Sequence, residues 1–218
     1  MFDRFLCGNF KLGNNMLYKT AHFLKYKLPF IWDLIDILNS CLFVLRYGQK
    51  FKAIEQELLL QYSQKSGLKV VRLREVPIEK LVSFFAAQPE EAYTFFKPHG
   101  FDNNSLKKLQ RNRSFIAYVL MDDNQVAAYC FLRSFFMGKG FRGRMVGIDF
   151  RGRGVGTLMN KLMNEIGFGI GLRLFETVSK DNVASYRSSL SASSVKVVEE
   201  LEYNELYLEI LNREKYDT

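Results

Sequence analysis

The chain has 218 residues, 48% of them hydrophobic, with only four prolines, so it is long and apolar enough to bury a substantial core, and extended disorder is excluded. A formal net charge of +8 calls for an anionic partner. Three widely spaced cysteines (Cys7, Cys41, Cys130) and two histidines imply neither a disulfide framework nor a zinc site. The opening MFDRFLCGNF lacks the charged n-region, apolar h-region and small-residue cleavage site of a secretion signal, and the expected location is the cytoplasm.

In chain order, residues 1–66 read differently from the rest. The first 27 residues carry Arg4, Lys11, Lys19, Lys25 and Lys27 against Asp3 alone, interleaved with Phe2, Phe5, Phe10, Tyr18, Phe23 and Tyr26. After Pro29, FIWDLIDILNSCLFVLRY has a narrow polar stripe of Asp33, Asp36 and Ser40 and predicts a helix buried on most of its circumference. Two aspartates interrupt it, which argues against a transmembrane span. It is expected to pack on the following domain or on a second copy, with a helix lying on an anionic membrane as the sharper reading. A second amphipathic helix is predicted from Lys50 to Gln64, through Phe51, Ile54, Leu58 and Tyr62, ended by Ser66 and Gly67.

From Leu68 the pattern becomes that of an alternating α/β chain. LKVVRLREV (68–76) reads as a strand, Pro77 opens a helix through Leu81, Phe84 and Phe85, and Glu90 to Phe96 reads as a further helical turn before the loop KPHGFDNN. Ser105 to Gln110 is helical, and residues 114–136 give two strands joined as a hairpin at Asp122 to Gln125. Beyond the central stretch described next, LRLFETV (172–178), KVVEEL and ELYLEI (205–210) read as strands, with a short helix from Lys180 to Leu190.

The central stretch is MVGIDFRGRGVGTLMNKLMNE, Met145 to Glu165: a short apolar strand (Met145 to Ile148), a turn rich in glycine and arginine, then a helix with Leu158, Leu162 and Ile166 on one face. Such a junction gathers unpaired N–H groups at a helix start, where the dipole favours an anion and glycines let a ligand approach the main chain. Lys139, Arg142, Arg144, Arg151, Arg153 and Lys161 face only Asp149 in this neighbourhood, which fits a phosphate or pyrophosphate without invoking nucleic acid. A Walker loop is absent, and a G-x-G-x-x-G fingerprint fails because Thr157 or Met159 falls in its third place.

R-x-x-G-x-G, Arg151 to Gly156, resembles the acyl-CoA signature of the GNAT family of N-acetyltransferases. The order of predicted elements over about residues 68–211 resembles that fold too, an α/β (α+β) architecture with a mixed, mostly antiparallel central sheet flanked by helices. The resemblance implies a helical N-terminal extension over 1–66 and an acyl-CoA-binding catalytic domain over 67–218. It implies acetyl-CoA as acyl donor, with Val146, Gly147 and Ile148 beside the pantetheine and thioester. Arg151, Gly152, Arg153, Gly154, Val155, Gly156 and Thr157 would hold the pyrophosphate. SKDNVAS (179–185) resembles the family's pattern after the fifth strand, which makes Asn182 a cofactor contact, although an asparagine there equally reads as a helix cap.

Transfer also needs a base and an acid. His99 and Asp149 are the base candidates, each with a plainer reading: a loop hydrogen bond for His99, a salt bridge to Arg144 for Asp149. The family often has a tyrosine seven residues after the asparagine; here that position is Ser189, and Tyr186 lies one turn earlier as the candidate acid. Ser193-Ser194 stands where a Gly-Phe pair is usual. The expected activity is transfer of an acetyl group to the primary amine of a small molecule, such as an amino sugar or nucleotide-linked amino sugar, faintly suggested by FFKPHGFD. The other class is a CoA-binding or membrane-associated scaffold that keeps the fold without turnover, motivated by the missing tyrosine. No nucleic-acid partner is expected; peripheral membrane contact or a homodimer through the N-terminal helices is.

Overall fold

The computed structural model describes residues 29–212; the basic, aromatic segment before Pro29 lies outside the described residues. A helix α1 (Pro29–Ser66) precedes a sheet whose strands are β1 (Lys69–Arg72), β2 (Phe115–Asp122), β3 (Gln125–Phe135), β4 (Lys139–Val146), β5 (Arg173–Ser179), β6 (Ser194–Leu201) and β7 (Glu205–Leu211). The remaining helices are α2 (Ile78–Ala86), α3 (Asn103–Arg111), α4 (Val155–Gly169) and α5 (Val183–Ala192). Strand order is β1-β2-β3-β4-β5-β7-β6, antiparallel at every pairing except β4 with β5. The expected mixed, mostly antiparallel sheet with flanking helices is what forms.

Strand β2 is buried along almost its whole length, and the period-2 rule explains why. Phe115, Ala117, Val119 and Met121 enter a core with α2 and α3, whereas Ile116, Tyr118 and Leu120 enter one with α1 and α4. Both faces are covered, so no polar alternation marks the strand. Asp123, at φ 47°, turns the chain into β3, as the hairpin reading required.

Three expectations change. The segment 68–76 is strand only to Arg72 and then a 3-10 turn, Leu73–Glu75. Strand β4 begins six residues before Met145 and stops at Val146; Gly140, Arg142, Gly143 and Arg144 obscure its alternation in the sequence. The two helices predicted between Pro29 and Gln64 are a single helix of 38 residues. Gly48 is the only breaker between them, at a cost of about 1 kcal/mol, and buried anchors on both sides of it (Phe43 and Tyr47, Leu59 and Tyr62) hold the helix through that point.

The first half of α1 is also oriented opposite to expectation. Rather than being buried on most of its circumference, it turns most of its polar stripe inward, with Asp33 left half exposed at the margin. Asp33 pairs with Lys108, Asp36 with Arg133 at 3.3 Å, Asn39 bonds Ser114 and the backbone of Ser134 and Phe136, and Ser40 accepts from the Arg113 amide. The reason is the surface underneath: the start of β2 and the end of β3 offer hydrogen-bonding backbone and the Arg133 guanidinium, which need polar partners when covered, while Lys108 reaches Asp33 from α3 at the exposed margin.

Candidate functional site

Strands β4 and β5 pair only over Lys139 to Phe141 with Arg173 to Phe175, and then part. At the fork lies a buried ionic cluster: Arg142 Nε to Glu176 Oε2 at 2.9 Å, Arg142 Nη1 to Asn164 Oδ1 at 2.6 Å, and Arg144 Nη1 to Glu176 Oε2 at 3.8 Å. Burial pushes the Glu176 carboxyl up, but the two guanidiniums more than offset this and hold it below its ordinary value. Burial likewise lowers Arg144, to about 10, against the pull of Glu176, so Arg144 and Glu176 both carry charge near neutrality. Oε1 of Glu176 is buried with no hydrogen-bond partner among the described residues.

Beyond the fork the strands wall a groove of about 830 Å³. Gly143 to Val146 form one side and Glu176 to Ser179 the other, with Phe95, Phe96 and Phe150 at the rim. The amide of Gly147 is taken by Ala127 O on β3 at 2.9 Å. By strand alternation the amides of Arg144 and Val146 then face the other way, toward the groove that β5 has vacated.

One end of the groove is closed by the start of α4. Gly152 and Gly154 have φ of 76° and 78°, values that disfavour any side chain, and an added Cβ at either would meet nothing within 4 Å. Gly154 is the N-cap and supplies no side-chain acceptor, so the first N–H groups of α4 present an unsatisfied, dipole-positive end at the groove. Thr157 Oγ1 lies 3.3 Å from Ser188 Oγ, and Arg144 Nη2 donates to Ser185 O at 2.9 Å, tying α4 and β4 to α5 across the site.

Of the residues singled out in the sequence, Val146, Arg151, Gly152, Gly154, Val155, Gly156, Thr157 and Asn182 converge on this one groove. Asn182 is also the N-cap of α5: its Oδ1 accepts from the Ser185 amide at 3.1 Å, leaving its NH₂ as donor. Gly147 is buried in the turn after β4, Ile148 is exposed, and the Arg153 guanidinium stacks over Phe150 at 5.3 Å.

None of the three catalytic candidates lines the groove itself, although His99 lines an adjoining cavity of about 70 Å³ that shares Phe95, Phe96, Arg142, Gly143 and Thr177 with it. His99 sits among Phe85, Phe101, Phe115 and Phe131, with Nδ1 donating to Gly100 O at 2.8 Å and Nε2 accepting from Tyr129 OH at 2.9 Å. Burial lowers its pKa to about 4, so the ring is neutral and both nitrogens are engaged. Asp149 is exposed on a 3-10 turn, and the arginine named as its partner, Arg144, pairs with Glu176 instead. Tyr186 packs on Val178, Leu206 and Leu208. Ser189, in the place of the family's tyrosine, is fully buried and near Asn160. Glu176 was missed, although a carboxylate in the middle of the apolar run LRLFETV was a visible signal.

No family model and no curated protein matches the sequence. Solved structures do. The chain is similar to the GNAT domain of S. lividans PAT (TM-score 0.57, 14% identity, covering 66% of this chain and 89% of that one). It is similar to a GNAT-family acetyltransferase from Bacillus anthracis (0.52, 13%, 66% and 94%). A third is the aminoglycoside acetyltransferase AAC(6')-Ib in complex with coenzyme A and kanamycin (0.51, 10%, 69% and 97%). With its parted β4 and β5 and a glycine-started helix between them, the chain has the fold of the GNAT acetyltransferases.

Proposed function

We propose that the chain is an acetyl-CoA-dependent N-acetyltransferase acting on the primary amine of a small molecule. The observation that carries this reading is the fork: two strands part and leave groove-facing amides, and an uncapped helix start with two open glycines closes one end. The fit to acetyl-CoA is physical. Its pyrophosphate suits the α4 N-terminus with Arg151 nearby, where Gly152 and Gly154 leave space that any side chain would occupy. When bound, acetyl-CoA supplies an acetyl thioester that the amine nitrogen attacks, forming a C–N bond and releasing CoA as its thiol.

The chain's own groups do the rest. The Val146 amide is placed to donate to the carbonyl oxygen as negative charge develops. The Glu176 carboxylate, held ionised on the groove wall by Arg142 and Arg144, is the group we assign to draw in the ammonium and take its first proton, passing it to solvent. Phe95 and Phe96 at the rim suit the apolar face of a sugar ring, so an amino sugar, free or nucleotide-linked, is the acceptor we favour.

Isothermal titration with acetyl-CoA, followed by a thiol-release assay over amino sugars, nucleotide-linked amino sugars, aminoglycosides and simple amines, tests the reading. Failure to bind acetyl-CoA overturns it. Binding without release on any amine favours the non-catalytic alternative, which draws on Ser189 standing where a tyrosine acid is usual.

A further inference from the structure

With Asp36, Asn39 and Ser40 turned inward and the half-exposed Asp33 at their margin, the first half of α1 presents the opposite face to solvent, and that face is apolar. Phe30, Leu34, Leu38, Cys41 and Leu45 follow one another at helical spacing, flanked by Ile35 and Ile37. Leu34 is 62% exposed and Leu45 is 83% exposed. At 100° per residue the outward apolar arc spans roughly 160°, and from Phe30 to Leu45 it runs about 22 Å along the axis. It then stops: the next outward positions are Gln49, Lys52 and Gln56. At its side Met137, 75% exposed, and Phe136 project from the β3–β4 turn, which Arg46 and Asn39 hold against the helix.

The surroundings of the stripe are mostly cationic, the exposed Asp33 being paired with Lys108. Arg46 flanks it on the side of that turn; exposed Lys107, Lys108, Arg111 and Arg113 lie at and beyond the end of α3, where Lys108 and Arg113 touch α1. Residues 1–28, which lead directly into the helix, carry five arginines and lysines against one aspartate. Pairing of two copies about a twofold axis would set this basic border against itself, and the arc is broader than the two-in-seven seam of a helix pair.

We propose that this face of α1 docks the protein on an anionic lipid bilayer, the apolar arc entering the headgroup boundary and the flanking cations meeting lipid phosphates. No described helix is long and apolar enough to cross a membrane, so the helix lies in the surface plane. The inference rests on α1 and its basic surroundings and is independent of what the groove binds.

The test is co-sedimentation of the full chain with vesicles of phosphatidylcholine alone and with phosphatidylglycerol added, at low and high salt, for the wild type and a Leu34→Glu/Leu38→Glu variant. Wild-type binding to the anionic vesicles is expected, weakened by salt, with a loss of roughly tenfold or more in the variant. Both replaced side chains are exposed, and an unchanged melting curve confirms the variant's fold. Wild type that fails to bind phosphatidylglycerol vesicles overturns the proposal whatever the variant does. Sedimentation velocity showing a dimer that the same substitutions dissociate, with no vesicle binding, overturns it too and assigns the face to a second copy.

Discussion

Gly154 is the residue on which the pyrophosphate reading is most exposed to test. Gly154→Glu puts an anion at the helix start and should abolish measurable acetyl-CoA binding by titration calorimetry. Gly154→Ala separates out the backbone strain at φ 78°, about 1–2 kcal/mol in a thermal melt, with a smaller loss of affinity. Glu176→Gln should cut thiol release far more than acetyl-CoA affinity. It should also destabilise the fold by about 3–5 kcal/mol in a denaturant titration, because Arg142 is left buried without its counter-ion. His99 gives a pH signature. Its folded pKa of about 4 lies below the unfolded value, so the native state binds fewer protons than the unfolded one between them; stability is full above about pH 6.5 and falls as pH drops toward 4, by an amount on the order of 3 kcal/mol. His99→Gln should flatten that slope in melts at stepped pH. The residues on the loop were legible because their spacing is a local chemical pattern. The loop hydrogen bond read for His99 is there, to the adjacent Gly100, but its Tyr129 partner and the role of Glu176 were not legible, because they depend on groups brought together only in the folded chain.

Among the elements, α1 is part of the core as much as a surface helix. Phe43 and Tyr47 lie in the same apolar cluster as Ile116, Cys130 and Met159, and Tyr62 OH reaches Glu165 at 2.7 Å. The Glu55 carboxylate accepts from Tyr118 OH at 3.0 Å and pairs with Arg72 at 2.9 Å. Phe43→Ala should therefore cost about 3–5 kcal/mol in chemical denaturation, the cost of emptying a core site; a change within about 0.5 kcal/mol would mean that α1 is a dispensable appendage. The periodicity of α1 announced a helix but left its orientation open. A stripe of Asp33, Asp36 and Ser40 reads as the wet side, and only Arg133 and the backbone groups beside the sheet decide that at Asp36 and Ser40 it is the covered side. The same holds for β4, whose arginines look like loop residues until Glu176 and Asn164 are placed beside them.

At the scale of the molecule, a ligand that binds only the folded chain must raise its stability by mass action. Acetyl-CoA at 100 times its dissociation constant should add about 2.7 kcal/mol and, for a chain of this size, raise the melting temperature by roughly 5–10 °C. No shift in a scanning melt would count against the groove as its site. The element order after Leu68 and the anion-seeking turn at Arg151 to Gly156 were determined by the sequence alone, because hydrophobic period and glycine spacing are local properties of the chain. Where β4 and β5 part, which carboxylate stands at the fork, and which face of α1 meets solvent were decided only by the tertiary structure. Each depends on groups far apart in sequence, such as Arg142 with Glu176 or Asp36 with Arg133, whose burial makes pairing obligatory once the sheet brings them together.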